Sequence, residues 1–348
     1  MSVLTRMYRG ETEFDFIAHT RRWFIISAVL ITVSIVSLTF RQLTLSIDFT
    51  GGTVVEVQNV NDLSVAEVRG VLTGIGQGGA RVQILTDETS DGGDRILVST
   101  GALDAGDQDL LVATIESASG AELDKLDAVG PTFGAEITRR AIEALAIFLL
   151  VVAGFISWRF EWRMAGAALV ALFHDLITTA GIYSIVGFEV TPATVIAVLT
   201  ILGYSLYDTV VVFDKITENV HELTGRATYT EIANLSLNQV LMRSINTSLT
   251  TLLPIGSLLF VGSYLLGAAT LREFALALFI GVGLGTYSSI FVATPVLTYW
   301  KEKEPEWQRM QRRSARRSGE DISLPEVAIE SVDVGAVPRP PRQRKKRR

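Results

Sequence analysis

Long apolar runs dominate the chain, and a single polar interval of nearly a hundred residues interrupts them. The first run, Trp23 to Phe40, follows Arg21 and Arg22 and has the length needed to cross a hydrocarbon core. Five more follow at about 140–158, 163–187, 190–214, 244–267 and 273–299, so the pattern predicts six membrane-spanning helices. At 18 residues the first run is long for the apolar part of a signal peptide, and no small-x-small cleavage site follows it directly. It therefore reads as an uncleaved first span.

The polar interval changes period. TVVEVQ (53–58), ARVQIL (80–85) and RILVST (95–100) are β-branched and half-alternating, and a last such segment lies near 122–129. LSVAEVRGVLTGI (63–75) and DQDLLVATIESA (107–118) instead carry apolar residues at helical spacing. The order βαββαβ predicts a small α+β domain of the ferredoxin-like, split-βαβ kind. The predicted fold class is thus an α-helical integral membrane protein with six transmembrane helices and one extracytoplasmic α+β domain. Its organisation is an N-terminus at 1–22, a first span at 23–40, the α+β domain at 41–138, a five-helix bundle at 139–300 and a basic, disordered tail at 301–348.

Charge sets the expected orientation. Arg6, Arg9, Arg21 and Arg22 precede the first span, Arg159 and Arg163 lie between the second and third, and Lys215, Arg226 and Arg243 surround the connection between the fourth and fifth. By the positive-inside rule these connections and both termini are cytoplasmic, and residues 41–138 face outward. The interval is acidic, and its scattered carboxylates read as a solvated surface. The arginine- and lysine-rich end of the chain reads as a topology signal held near the inner leaflet and its lipids, with no nucleic-acid partner expected. The sequence has no cysteine, and His19, His174 and His221 are too far apart for a metal-ligand pattern, so no metal or cofactor is expected. No nucleophile constellation or nucleotide loop is present, which argues against an enzyme.

The candidate chemistry is a set of ionisable residues within spans, where each charged group costs about 2.5–3.5 kcal/mol at a helix centre. Asp208 lies in the fourth run between ILGYSLY and TVVVF, and Arg243 begins the fifth in LMRSINTSLTT. A hairpin between the two runs would carry the guanidinium toward the carboxyl, with Thr247 beside it. Burial favours the neutral acid and a nearby arginine favours the carboxylate, so movement of one against the other couples a proton to conformation. A fixed Asp–Arg packing pair is the plainer alternative. His174 and Asp175 in the third run are adjacent and so point about 100° apart on a helix; helix packing or a proton relay would explain them. Glu143 begins the second run, and Asp214 belongs to the water interface.

These strings resemble the SecF family, which pairs with SecD and shares a fold superfamily with the resistance-nodulation-division transporters. The resemblance runs through IDFTGGT, VGPTFGAEI, WRFEWR, LFHD, GYSLYDTVVVFDKITENV and RSINTSLTTLLP, nearly the whole chain. It implies a subunit that acts with SecD beside the SecYEG channel, using the proton-motive force to draw a preprotein across the cytoplasmic membrane. The family's intramembrane Asp then corresponds to Asp208 and its interfacial Arg to Arg243 with Thr247. Tyr207 stands where the family commonly has Asn. The resemblance also makes Gly51 and Gly52, leaving the first span, and Gly130 and Gly134, entering the second, candidate hinges that swing the outer domain. Sodium in place of the proton, a half-length exporter of small molecules or lipids, and a non-energised assembly factor are the competing readings.

Overall fold

The computed structural model describes residues 14–85, 94–265 and 272–317. Arg6, Arg9, the last outer connection at 266–271 and the terminal basic string lie outside the described residues. Among those described, six helices are long and apolar enough to cross a membrane. They are α1 (Thr20–Phe40), α5 (Pro131–Arg159), α6 (Trp162–Val186), α7 (Pro192–Leu223), α8 (Tyr229–Ser257), which continues as a π-helical segment Leu258–Leu265, and α9 (Arg272–Ser288). After α9 come a π segment, Ser289–Ala293, and α10 (Thr294–Lys301), which complete the sixth span.

Helix ends overrun the apolar runs that announce them. At 32 residues α7 is about 48 Å long, well beyond the ~30 Å hydrocarbon layer. α8 begins at Tyr229, fifteen residues before the run expected at 244, because Thr228 and Glu231 form a capping box ahead of a polar but helix-favouring stretch. The overrunning ends pack on each other: Asn219 of α7 donates to Ser236 Oγ at 2.7 Å and to Gln239 Oε1 at 2.8 Å on α8.

Between α1 and α5 lies the α+β unit. Strands β2 (Gly52–Gln58), β3 (Arg81–Leu85), β4 (Arg95–Thr100) and β5 (Leu123–Val129) form one sheet in the order β3-β4-β2-β5, with every neighbouring pair antiparallel. Helices α3 (Val65–Gly74) and α4 (Ala105–Ser119) follow β2 and β4, and their apolar faces bury Val68, Leu72, Leu111 and Ile115 against Val55, Val57, Ile96 and Val98. Ser64 and Glu67 close a capping box at the start of α3, where hydrogen bonds from the Ser64 backbone and hydroxyl hold the Glu67 carboxyl below its usual range.

Two joints attach this unit to the helices. A two-residue strand β1 (Thr44–Leu45) pairs in parallel with β6 (Glu189–Val190), the short link between α6 and α7, and Ser46 N–H donates to Val190 O at 2.9 Å. At the second joint a four-residue helix α2 (Ile47–Thr50) ends at Gly51, whose φ of +71° is a left-handed conformation. Gly134, in the first turn of α5, lies so close that a Cβ there would sit 2.7 Å from Phe49 O and 2.8 Å from Gly51 N.

The tail departs from expectation. Residues 305–317 form a helix, α11 (Pro305–Arg317), held by Trp307, which is buried edge-on against Tyr229 with ring centroids 4.9 Å apart. Lys301 bridges Glu161 at 2.5 Å and Glu304 at 3.3 Å, and Arg163 meets Glu304 at 2.8 Å. Trp307 and Met310, one turn apart within a basic segment, give the helix an apolar side against the bundle, a signal that net charge conceals.

The joint at Gly134 generates a differential test. Gly134→Ala places a methyl against backbone on both sides and should lose about 1–3 kcal/mol of stability. Gly130→Ala, with open space around its Cβ and a φ of −68°, should stay within about 1 kcal/mol of the parent. Thermal unfolding of the detergent-purified variants measures both.

Candidate functional site

The helices α6, α7, α8 and α9 meet around a buried band of hydroxyls and carboxyls. Close approach of α7 and α9 is the first requirement, and Gly285 supplies it: a Cβ there would lie 2.9 Å from Ser205 Cβ. α9 then leaves α geometry at Ser289, one residue after Ser288, and the π turn points successive serines at different partners.

Asp208 is 4% exposed on α7. The Ser244 hydroxyl of α8 lies 2.7 Å from its Oδ1 and 2.6 Å from its Oδ2, a single donor shared by both oxygens. A hydroxyl suits either protonation state, since it donates to a carboxylate and accepts from a carboxylic acid. The Arg243 guanidinium, expected to approach Asp208, instead donates to the Tyr207 hydroxyl at 3.0 Å on the exposed side of the same two helices. Neighbouring residues on a helix point about 100° apart, so α8 presents Ser244 inward and Arg243 outward while α7 presents Asp208 inward and Tyr207 outward. Thr247 spends its hydroxyl on backbone carbonyls of its own helix, Arg243 O at 2.9 Å and Ser244 O at 3.0 Å. The band continues outward from Ser244 through Ser248, which pairs with Thr286 at 2.7 Å, and sideways through Thr209, which pairs with Ser289 at 3.0 Å.

A second carboxyl lies across this band. Asp175 on α6 accepts from Ser205 at 2.6 Å and Ser288 at 2.7 Å on Oδ2, and its Oδ1 stands 3.1 Å from His174 Nδ1. Their adjacency in sequence argued for separate faces, yet both side chains are buried, at 1% and 2% exposure, and they bend toward each other. A long imidazole and a short carboxylate bridge the angular gap that backbone geometry opens.

The remaining expected residues fall elsewhere. Glu143 is paired with Arg139 at 2.9 Å and Asp214 with Arg159 at 2.9 Å, all exposed. Of the glycines, Gly51 and Gly134 come together at the joint between the α+β unit and α5, Gly52 opens β2 with its Cβ position 2.5 Å from Thr100 O, and Gly130 caps α5 with nothing crowding it. Beside that joint, burial pushes the Glu189 carboxyl up, opposed by Arg81 and reinforced by Glu273 and Asp48.

Sequence reasoning missed Ser244, Ser288 and Ser289 as partners. Their only signal is polarity inside apolar runs, SINTS in one and YSS in the other. Ser244→Ala should destabilise the protein by about 1–3 kcal/mol, because both Asp208 oxygens lose their donor in a dry setting. Tyr207→Phe, which frees an exposed arginine, should change stability by less than about 1 kcal/mol. Thermal unfolding in lipid nanodiscs separates the two.

Comparison with known proteins gives this band its context. Residues 111–303 match the family model for the C-terminal part of the protein export membrane protein SecD/SecF, and residues 36–58 match the SecD/SecF GG motif. The chain is 41% identical over 345 residues to the protein translocase subunit SecF of Streptomyces coelicolor, covering 95% of this chain and 88% of that one. It is 42% identical to SecF of Mycobacterium tuberculosis, covering 91% and 73%. Among solved structures, SecDF of Thermus thermophilus, a translocon-associated membrane protein, superposes with a TM-score of 0.76 at 34% identity, covering 84% of this chain and 39% of that one. The chain thus spans about two fifths of the solved SecDF chain.

Proposed function

The chain belongs to the SecF family, and from that membership we propose that it is the SecF-type subunit of a SecD–SecF accessory complex that helps draw preproteins through the SecYEG channel. Its place is the cytoplasmic membrane, with both termini in the cytoplasm and the α+β unit, residues 41–138, outside as a ferredoxin-like domain. Its energy source is the proton gradient, with no bound cofactor, and its role is accessory, not covalent chemistry.

The observation that carries this reading is the arrangement at Asp208: a buried carboxyl held by one neutral hydroxyl, with a cation one residue along the facing helix tied only to a phenol in the described contacts. Protonated, Asp208 is at rest on Ser244. Loss of the proton creates a carboxylate that a shared hydroxyl satisfies poorly, and a modest turn or slide of α8 exchanges Ser244 for Arg243. Tyr207 is then the parking place of the guanidinium. Each charge moved across the membrane is worth about 2.3 kcal/mol per 100 mV, enough to bias a two-state element strongly. Movement of α8 and its neighbours reaches the outer domain through the β1–β6 pairing and the Gly51–Gly134 contact, which act as the hinge.

Asp208→Asn keeps the size of the side chain and removes its titration. Membrane vesicles carrying this variant should assemble the complex with SecD yet lose the part of preprotein release that depends on the proton gradient. Full gradient-dependent release would instead make Asp208 a packing residue and the protein an assembly factor. Release that follows a sodium gradient in place of a proton gradient would reassign the ion.

A further inference from the structure

His174 and Asp175 are more elaborately held than helix packing requires. The carboxyl accepts from residues on α7 and α9 as well as from its own neighbour, so three helices converge on one group. On the far side of the imidazole, Nε2 is buried without a hydrogen-bond partner. It has company: Oγ1 of Thr178, Oγ1 of Thr179 and the hydroxyl of Tyr204 are likewise buried and unpartnered. Thr178 and Thr179 lie one helical turn beyond His174 and Asp175 on α6, in the direction of the β6 joint. Native interiors pair such atoms with protein or with water, and a polar cluster of this kind is where an interior holds water.

We propose that His174 and Asp175 form a second proton-holding site, reached from the β6 end of α6 past Thr178 and Thr179, and coupled to Asp208 through Ser205, Ser288 and the π turn. The coupling has a short structural path: Ser288 holds Asp175 while the next residue, Ser289, holds Thr209 and the carbonyl of Ser205, one turn from Asp208. A proton arriving from water attaches to Nε2; the proton on Nδ1 passes to Asp175 Oδ1; the imidazole is left neutral with its hydrogen on Nε2, and the carboxyl is left neutral. The net change is one proton gained by the pair, and the two hydroxyl–carboxylate bonds that join α6 to α7 and α9 become neutral ones. Of the titratable groups on the elements packed around the pair, Tyr287 of α9 has its ring centroid 6.0 Å from that of His174, and Tyr204 and Asp208 of α7 flank Ser205 within one turn; Arg163 and Tyr183 of α6, Tyr207 and the groups from Asp214 onward on α7, and Arg272 and Glu273 of α9 lie more than two turns away along their helices or on the exposed side. α1 contributes the Ser27 hydroxyl, bonded to Tyr287 at 3.1 Å, while Arg159 at the end of α5 and Lys301 at the end of α10 are in ion pairs at the helix ends.

This inference rests on the reading of Asp208 as the moving charge, and its test is independent of export. The sequence has three histidines, so His19→Gln with His221→Gln leaves His174 as the single imidazole, provided purification uses a histidine-free tag. In lipid nanodiscs, nitrogen NMR of the labelled ring should show Nδ1–H with a bare Nε2 at alkaline pH and a proton on Nε2 at acid pH. Asp208→Asn should displace that transition by about one pH unit or more, as expected for a charge within a dry bundle. A ring that keeps one state throughout the accessible pH range would overturn the proposal. So would a transition that Asp208→Asn leaves in place, since the pair would then be uncoupled from Asp208. A His174 transition that Asp208→Asn displaces, alongside gradient-dependent export that the same substitution leaves unchanged, would sink the export reading while leaving the coupling of the two acids standing.

Discussion

Hydrocarbon cannot solvate a carboxyl group, and much of this bundle follows from where its carboxyls have to go. An acid at a helix centre costs about 2.5–3.5 kcal/mol on insertion, so Asp175 and Asp208 turn inward and find hydroxyls on neighbouring helices. Those hydroxyls must come close. Small residues on α9 let it approach α7, and the π turn at Ser289 sends Ser288 to Asp175 and Ser289 to Thr209, the residue after Asp208. Hydroxyls rather than cations line the band, which leaves the carboxyls free to exist in either protonation state without an orphaned donor. The Arg243 cation, next to Ser244 in sequence, is held outside, on Tyr207.

The same economy of partners shapes the connection to the α+β unit. Two residues of parallel strand and one contact between glycine-bearing segments join a well-packed sheet domain to the helices. Each joint is small compared with the domain core of Val55, Val57, Ile96, Val98 and their helical partners. On the opposite side, Trp307, Lys301 and Arg163 tie α11 to the bundle, so the two ends of the helices are held differently.

Most of the architecture was legible in the pattern of residues. Apolar runs placed the six spans, and alternation against helical spacing placed four strands and two helices within a few residues of their positions, because hydrophobic burial in one dimension has a period that local geometry sets. The exceptions are polar helical extensions such as 229–243, where caps decide, and the tail helix 305–317, where Trp307 and Met310 pack on the bundle despite their basic neighbours. The strand pair β1–β6 joins residues nearly 150 positions apart and leaves no local trace.

For the candidate site, the sequence by itself determined which residues are candidates: Asp208, Arg243, His174 and Asp175 stand out because ionisable groups in apolar runs are costly and therefore have a reason to be there. Only the tertiary structure decided who meets whom. Ser244 rather than Arg243 reaches Asp208, and Ser205 and Ser288 converge on Asp175, because helix rotation and crossing choose which of two adjacent residues faces inward. Serine in a membrane helix is inexpensive in either orientation, so its sequence position carries almost no sign of its partner; that assignment exists only once the helices are packed.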